Sequence, residues 1–303
     1  MARVRFINPY WSYASNEIYA PDRRSYAMII DTHTHVVNSD RVAHPLHPDA
    51  TGWSLEVSNN VEDLIAEMDA AGVECATLVQ PNGTYGLDNS YQCDSALQYA
   101  PRTVAVGILD PAAPDAADLL SYWTNERGMW GVRLQSQAEP DDSRCDAIWE
   151  RAASLGVPIS IGGGGTADRV NRMRNIGARH PNVRFAPDHF AGWSGSDDKP
   201  GMTVALEELA TLPNAHLRYS STSLGPYAEL DDAGKDMFRR VVEAFTPRRM
   251  MWGSNFPSSR AGGFAGQVTL GKTALPWLSA EDLDWMMGGA AATFWPMLKA
   301  PDA

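Results

Sequence analysis

Short apolar runs alternate with longer segments of helical period along the chain from residue 28 onward, and this alternation limits the fold more than any other feature. Several of the runs are almost entirely apolar, which is typical of strands buried on both faces of a parallel sheet. The sequence therefore predicts an α/β fold. The predicted strands are Met28–Asp31, Ala76–Gln80, Thr103–Leu109, Gly131–Leu134, Val157–Ile161, Val183–Pro187, His216–Ser220 and Met250–Gly253.

Amphipathic segments that fit helices separate these runs. In Val61–Ala71 the apolar residues share one face, with Asn60 as a suitable N-cap and Gly72 as a suitable stop. The same design recurs in five later segments, which are Asp146–Leu155, Ala167–Ala178, Met202–Thr211, Asp232–Ala244 and Glu281–Phe294.

Eight strand–helix units of this size match a single (β/α)8 TIM barrel. The competing architecture is a doubly wound open sheet, but no Gly-rich dinucleotide turn follows the first run. We therefore predict one barrel domain at residues 28–303, preceded by an N-terminal arm at residues 1–27. We expect the arm to pack on the barrel or on a neighbouring subunit, which leaves a homo-oligomer open.

The charge balance argues against nucleic acid and anionic membranes as partners. The chain has 37 acidic and 25 basic residues, for a formal net charge of −12, and a negative surface repels phosphate groups. No run approaches the roughly 18–20 apolar residues that span a bilayer, and the first residues lack the apolar centre of a secretory signal. The three cysteines form no CxxC pair, which fits a reducing compartment. We expect a cytoplasmic protein that binds a small molecule.

Reactive side chains follow the predicted strands at the end where a parallel barrel collects its loops. His33 and His35 come after the first strand, and their spacing puts both imidazoles on one face, where they could share a metal or a substrate. The alternative is that both are satisfied by hydrogen bonds within a layer of the barrel. Further candidates follow or end later strands: Gln80, Arg133, Gly163, Asp188, His189, Ser220 and Asn255.

Arg133 is a candidate clamp for a substrate carboxylate, because a guanidinium can donate two parallel hydrogen bonds. The alternative is an internal ion pair with Asp188 or Asp31. Arg218 is a weaker candidate for the same role and could simply fill a layer of the barrel as an ion pair. Backbone N–H groups of the glycine run 162–165 could face an anion, although most glycine runs are tight turns.

Aromatic and histidine side chains on the predicted loops could shape the pocket. His47 lies on the long first loop and Tyr85 on the second, where polar residues are more often simply solvated. Trp193 follows His189 and could form an aromatic wall, or could equally belong to the core.

Taken in order, these motifs resemble the amidohydrolase superfamily. Ile29–His35 resembles the opening strand of that superfamily, and Cys75–Pro81 with Tyr85–Asn89 resembles its branch of lactonases and related small-acid enzymes. The similarity spans residues 28–296 and continues through Gly131–Leu134, Asp188–Phe190 and Trp252–Pro257.

The resemblance implies a (β/α)8 barrel that hydrolyses, decarboxylates, hydrates or isomerises small carboxylated or lactone substrates. In metal-using members a His-x-His pair, a histidine after strand five and an aspartate after strand eight surround a divalent ion. His33 and His35 match the pair, whereas the strand-five position has only glycines and the strand-eight position has Asn255.

These departures argue against a tightly bound metal. A carboxamide is neutral, a poor metal ligand and no base, and two clear ligands are fewer than the three of a catalytic zinc site. We therefore expect no cofactor. Zinc or manganese held by His33 and His35, with His189 or Asp188 recruited, is the less favoured alternative.

Without a carboxylate at position 255, proton transfer is assigned to His33, His35 or His189, or to Asp188. A neighbouring histidine or the Asn255 amide would donate to the developing oxyanion. The leading hypothesis is a hydrolase of a small, anionic or lactone substrate. The alternatives are a metal-independent lactone isomerase or lyase and, less favoured, a non-catalytic barrel kept for binding.

Overall fold

The computed structural model describes residues 28–81, 83–135, 137–162, 164–193 and 199–300. The predicted arm at residues 1–27 and the candidate Gly163 lie outside these ranges. The strands that the described residues form are β1 (Ile30–Thr34), β2 (Cys75–Val79), β3 (Thr103–Leu109), β4 (Met129–Leu134), β5 (Ile159–Ile161), β6 (Phe185–Pro187), β7 (Leu217–Ser220) and β8 (Met250–Gly253).

All of these strands pair in parallel. Strands β1 to β6 form one curled six-stranded sheet in chain order, and β7 pairs with β8 in a second sheet. The predicted α/β class with a parallel sheet is therefore confirmed.

Short backbone contacts join the two sheets on both sides of the β7–β8 pair. Beside β1, the Asn255 N–H donates to the His33 carbonyl at 2.8 Å, and the His35 N–H donates to the Phe256 carbonyl at 2.9 Å. Beside β6, Phe185 forms an isolated parallel bridge with Ala215. Strand β8 thus lies next to β1, and β7 lies next to β6.

Helices follow most strands and cover the outside of the sheets. They are α1 (Val61–Ala71), α2 (Ser90–Gln98), α3 (Ala116–Arg127), α4 (Asp146–Leu155), α5 (Ala167–Arg179), α6 (Lys199–Ala210), α7 (Ser221–Tyr227), α8 (Asp232–Phe245), α9 (Gly263–Thr273), α10 (Ala280–Asp284) and α11 (Ala290–Phe294). Helix α1 has the predicted ends: Asp63 accepts from the Asn60 N–H at 3.2 Å, and Gly72 stops the helix with a φ of 69°. None of the described helices combines the length and the apolar run required to cross a bilayer.

The helix predicted at Glu281–Phe294 is interrupted. Trp285–Gly289 forms a π turn between α10 and α11. A Cβ on Gly288 would overlap the carbonyl oxygen of Met28, so the backbone ahead of β1 packs directly against this turn. The π turn therefore lies where the backbone of Met28 comes close to Gly288. The amphipathic pattern of the sequence gave no sign of this contact.

Strand β1 also differs from its prediction, which ended it at Asp31 and placed the following residues beyond the strand. The observed strand runs to Thr34, and all five of its residues are buried. Polar side chains are tolerated there because they hydrogen-bond within the sheet: the Thr32 hydroxyl donates to the Trp252 carbonyl at 2.6 Å, and the Thr34 hydroxyl donates to the Thr77 carbonyl at 2.8 Å.

Candidate active site

Three imidazole rings meet at the carboxyl ends of β1 and β6. The ring centroids of His33 and His35 lie 4.9 Å apart, and those of His33 and His189 lie 4.5 Å apart. Strand β1 supplies His33, the residue after its end supplies His35, and His189 follows β6. The structure thus brings together the three histidines that the sequence singled out.

His35 is fixed at both ring nitrogens. Its Nδ1 lies 2.8 Å from the Val79 carbonyl oxygen, and its Nε2 lies 3.2 Å from the Asn255 side-chain oxygen position. The amide nitrogen position of Asn255 lies 3.2 Å from the Thr222 hydroxyl and 3.1 Å from the Ser259 hydroxyl. Asn255 therefore connects the imidazole just after β1 to two hydroxyl groups on the segments that follow β7 and β8.

His189 begins a turn of left-handed backbone. The φ angles of His189, Phe190 and Ala191 are 52°, 57° and 55°, and Gly192 continues with 78°. For non-glycine residues this conformation costs roughly 1–2 kcal/mol each, so the surroundings must stabilise it. The imidazole is held in addition by Ser220, whose hydroxyl lies 2.7 Å from Nδ1.

Two glycines after β5 support this turn. The Gly165 N–H donates to the Ala191 carbonyl at 2.7 Å, and a Cβ on Gly164 would overlap that same carbonyl. The two backbone segments can pack this closely only because position 164 has no side chain. The described part of the glycine run therefore contacts the turn that presents His189.

A buried ion cluster lies beside the imidazoles. Asp188, 1% exposed, accepts from Nη1 of Arg218, which is 0% exposed. Nε of Arg133 lies 2.8 Å from the second Asp188 oxygen, although neither atom has a well-aligned hydrogen bond. Burial alone would raise the pKa of Asp188, but the two guanidinium groups hold it below its usual value. Both arginines thus form internal ion pairs, which the sequence offered as the alternative to binding a substrate carboxylate.

His33 faces this cluster with one nitrogen. Its Nδ1 lies 3.5 Å from Nη1 of Arg218 and 3.7 Å from the nearer Asp188 oxygen. Its Nε2 is buried and has no hydrogen-bond partner among the described residues. Burial, followed by the neighbouring imidazoles and guanidinium groups, lowers the pKa of His33 well below its usual value. His33 is therefore a neutral imidazole with one nitrogen available.

Burial also dominates the titration of the other imidazoles. It lowers the pKa of His35 to about 4 and the pKa of His189 to about 4. The carboxyl group of Asp31 shifts in the other direction, because burial raises its pKa to about 6. Asp31 accepts from the N–H of His33 at 3.0 Å and from the N–H of Ser254 at 2.9 Å, and so links β1 to the end of β8.

The residues at this site do not fit a divalent metal. No group of three or more His, Cys, Asp or Glu side chains that could hold one occurs within the described ranges. His35 has a backbone partner at Nδ1 and an amide at Nε2, and Asp188 is engaged by two arginines. A carboxamide at position 255 supplies no anionic ligand.

Gln80 and Tyr85 make mainly structural contacts. Gln80 donates to the Asp88 carbonyl at 3.1 Å and to the side chain of Asn89, while its own side-chain oxygen is buried without a partner among the described residues. The Tyr85 hydroxyl accepts from the Asn38 N–H at 2.9 Å and the ring is buried. The Gln80 oxygen is therefore a buried acceptor that remains available among the described residues.

His47 and Trp193 do not join the imidazole cluster in the contacts that the structure shows. The side chain of His47 is 46% exposed and lies 3.9 Å from Asp49. Trp193 is buried, with its ring centroid 5.6 Å from Phe190 and 5.9 Å from Phe238. Of the two interpretations of Trp193, the structure therefore places it in the core.

The hydroxyl groups of Thr222 and Ser259 were not predicted as part of the site, and Arg218 was predicted only as a weaker candidate. Thr222 follows β7 closely, and Ser259 lies one turn after Asn255, where its N–H donates to the Asn255 carbonyl at 2.8 Å. The position of Thr222 just past a strand end was a usable signal. Arg218 was signalled by its place as a charged residue inside an otherwise buried strand.

Sequence comparison identifies the family to which the chain belongs. Residues 30–297 match the family model described as Amidohydrolase, and the chain belongs to that family of enzymes. It is 29% identical over 212 residues to an L-fucono-1,5-lactonase of Burkholderia ambifaria, covering 68% of this chain and 72% of the relative. It is 25% identical over 266 residues to a D-galactarolactone isomerase of Agrobacterium fabrum, covering 83% and 85% respectively.

A solved structure supports the fold. An amidohydrolase from Burkholderia multivorans superposes with a TM-score of 0.70 at 22% sequence identity, covering 91% of this chain and 100% of that one. At this level of identity the likeness concerns the fold alone.

Proposed function

We propose that this enzyme is a hydrolase that opens a small lactone, or a related carboxylated substrate, by acid–base catalysis with neutral imidazoles and without a metal ion. The observation that carries the proposal is the meeting of His33, His35 and His189 within 5 Å between neighbouring ring centroids. The lactonase and lactone isomerase among its relatives support a lactone as substrate.

We also propose that residues 28–303 form a closed (β/α)8 barrel. The backbone hydrogen bonds between the end of β1 and the residues just after β8, together with the bridge between β6 and the residue Ala215 ahead of β7, support closure. In a closed barrel the loops after all eight strands converge on one mouth. Residues that follow β1, β6, β7 and β8 would then face a single substrate.

His189 is assigned the role of general base. It follows β6, it is less buried than His33, and its Nδ1 is held by Ser220, which leaves Nε2 for the substrate. In hydrolysis the base takes a proton from water as the water oxygen bonds to the lactone carbonyl carbon. The bond from that carbon to the ring oxygen then breaks, and the departing oxygen takes the same proton from the imidazolium of His189, which restores the neutral base. Such proton transfer contributes about 10²–10⁴ to the rate.

His33 is assigned the role of hydrogen-bond donor to the developing oxyanion. If Arg218 donates to Nδ1 of His33, as their 3.5 Å separation favours, the proton of the neutral ring lies on the unpartnered Nε2. A buried donor of this kind stabilises negative charge more than a solvated one does. Burial lowers the pKa of the His33 imidazolium well below its usual value, so the ring stays neutral at pH 7.

Arg133 is assigned the binding of a substrate carboxylate. Two guanidinium groups share the single carboxylate of Asp188, so this ion cluster carries an excess positive charge. Arg133 is the more accessible of the two, with a side chain 11% exposed against 0% for Arg218. Its terminal nitrogens could therefore meet an anion at the mouth while Nε stays beside Asp188.

The direct test measures proton release from L-fucono-1,5-lactone and D-galactarolactone with a pH indicator. Wild-type protein is expected to open at least one of them, and His189→Ala to lower kcat by about 10²–10⁴ with an unchanged far-UV spectrum. His180→Ala is the matched control, because His180 pairs with Asp146 away from the cluster. A His189→Ala variant with wild-type turnover would rule out this mechanism, and loss of turnover would rule out a non-catalytic barrel.

A second candidate is a metal-independent lactone isomerase, which the amide at position 255 and the isomerase relative favour. An isomerase moves the acyl group between two hydroxyls of one molecule and needs no water. Reaction in ¹⁸O-labelled water separates the two functions: label in the product indicates hydrolysis, and an unlabelled new lactone indicates isomerisation. A lyase would instead yield an unsaturated product. For all three reactions, elemental analysis measures the metal content of the purified protein. A metal content that rises and falls with activity would contradict the metal-free proposal.

A further inference from the structure

The hydrogen bonds of His35 determine where its proton lies. Its Nδ1 is 2.8 Å from the Val79 carbonyl oxygen, and a carbonyl oxygen can only accept, so Nδ1 carries a hydrogen. The ring is 4% exposed, and its pKa of about 4, which burial lowers, keeps it neutral at pH 7. A neutral ring protonated at Nδ1 has a lone pair at Nε2.

Asn255 faces that lone pair. If its side-chain oxygen pointed to Nε2 across the 3.2 Å separation, two acceptors would meet in a buried place with no hydrogen between them. Its amide nitrogen would meanwhile face the hydroxyl oxygens of Thr222 and Ser259, at 3.2 Å and 3.1 Å. Hydroxyl groups can donate as readily as accept. The oxygen and nitrogen of a carboxamide are nearly equal in size, so exchanging them changes no packing.

We propose that Asn255 donates an amide N–H to Nε2 of His35 and accepts, through its side-chain oxygen, from the hydroxyls of Thr222 and Ser259. Each of the three contacts of the Asn255 amide then joins a donor to an acceptor. His35 donates to Val79 and accepts from Asn255, and two donors meet the two lone pairs of the amide oxygen. The left-handed φ of 58° at Asn255 is one that Asn and Asp adopt more readily than most residues.

The assignment makes Asn255 a positioning residue. It holds His35 as a single neutral tautomer and occupies the only lone pair of the ring, so His35 takes no proton from water. Proton transfer is left to His189, while His33 keeps its role as hydrogen-bond donor. An aspartate at position 255 could not do the same, because a carboxylate only accepts and would draw a proton onto Nε2.

This inference rests on the proposed function and deepens it, since it gives the reason why His35 takes no part in proton transfer. Its test measures which ring nitrogens of His35 carry a proton and does not measure turnover. This inference and the proposed function can therefore fail separately. Protein labelled with ¹⁵N-histidine is examined at pH 7.5 by long-range ¹H–¹⁵N correlation, which distinguishes the two neutral tautomers from an imidazolium. The His35 signals are those that disappear in His35→Asn.

Wild-type protein is expected to show His35 with a protonated Nδ1 and an unprotonated Nε2. Asn255→Asp is expected to place a proton on Nε2, whereas Asn255→Ala is expected to keep the wild-type tautomer, because Val79 still accepts from Nδ1. Asn175→Asp, on the outer helix α5, is the matched control and is expected to leave the His35 signals unchanged.

A proton on Nε2 of His35 in the wild-type protein, as either neutral tautomer or imidazolium, would overturn the assignment. So would an Asn255→Asp spectrum with the wild-type tautomer. If His35→Asn does not fold, His35 is identified by its contact with Trp53, whose ring centroid lies 5.8 Å away, through nuclear Overhauser effects in the wild-type protein.

Discussion

Arg218 and Asp188 form an ion pair from which solvent is excluded, directly beside His33. Arg133 contacts the second oxygen of the same carboxylate. Since Arg133 lies in β4, Asp188 follows β6 and Arg218 lies in β7, one carboxylate links both sheets. The same carboxylate therefore joins the two sheets and lies beside the candidate catalytic histidine His33.

Replacing Asp188 by Asn is expected to destabilise the fold strongly. The change leaves the buried guanidinium of Arg218 and the part-buried one of Arg133 without their carboxylate partner, and breaking a buried pair on one side typically costs about 3–5 kcal/mol. Denaturation in urea measures the free energy of unfolding. Asp168→Asn, which breaks the exposed Asp168–Arg172 pair on α5, is the control and is expected to be nearly neutral. Equal stability of the two variants would contradict the role given to Asp188.

Gly164→Ala is expected to lower kcat with little change in secondary structure. The added Cβ would overlap the Ala191 carbonyl and push away the turn that presents His189. A displacement of about 1 Å at a catalytic group can cost about 10² in rate. Steady-state kinetics on whichever lactone the wild-type protein opens measures this effect. Gly225→Ala is the matched control, because a Cβ there meets no atom within 4 Å; equal kinetics of both variants would refute the supporting role of Gly164.

The free energy of unfolding is expected to decrease as the pH falls from 6.5 towards 4, and His216 is one cause. Burial, and then the charges of Arg184 and Arg249, lower its pKa to about 3. In that interval the unfolded chain binds a proton at this histidine and the folded chain does not, which costs about 1.4 kcal/mol per pH unit. Urea denaturation of His216→Phe at several pH values should show a shallower decrease. An unchanged slope would mean that His216 is charged in the fold.

Asp31 is expected to act in the opposite direction between pH 4 and pH 6. Burial raises its pKa to about 6, so in this interval the folded protein binds a proton that the unfolded chain has lost. This group therefore stabilises the fold below pH 4, and its contribution is lost as the pH rises through 6. Asp31→Asn removes the titration, and its stability should rise more steeply with pH over this interval than that of the wild type. A shallower rise would show that the sign is wrong.

The parts of the fold that follow from repeated pattern were predictable from the sequence. The alternation located all eight strands, and α1 and α4 have the predicted bounds. The end of β1 was not found, because Thr32 and Thr34 are polar but satisfy their hydroxyls inside the sheet. Their polarity suggested that the strand had ended. The strand continues through them because both hydroxyl groups hydrogen-bond to neighbouring strands.

The site was predictable where residue type and strand end coincide, as for His33, His35, His189 and Asn255. The ion pairing of Arg218 could not be read from one strand, since it depends on which residues the neighbouring strands place beside it. The left-handed turn at His189 gave no local signal either, because two of its residues are Phe190 and Ala191, which seldom adopt that conformation.

The division of the strands into six and two has a consequence for how function is lost. His33 comes from the larger sheet and His35 from the residue just after its first strand, whereas Ser220 comes from the smaller sheet and Asn255 from the residues just after it. Their alignment therefore depends on a few amide–carbonyl contacts at the two boundaries. A substitution that shifts one boundary by a fraction of an ångström would leave each sheet folded and separate the partners, so inactive variants with native spectra should cluster along these boundaries.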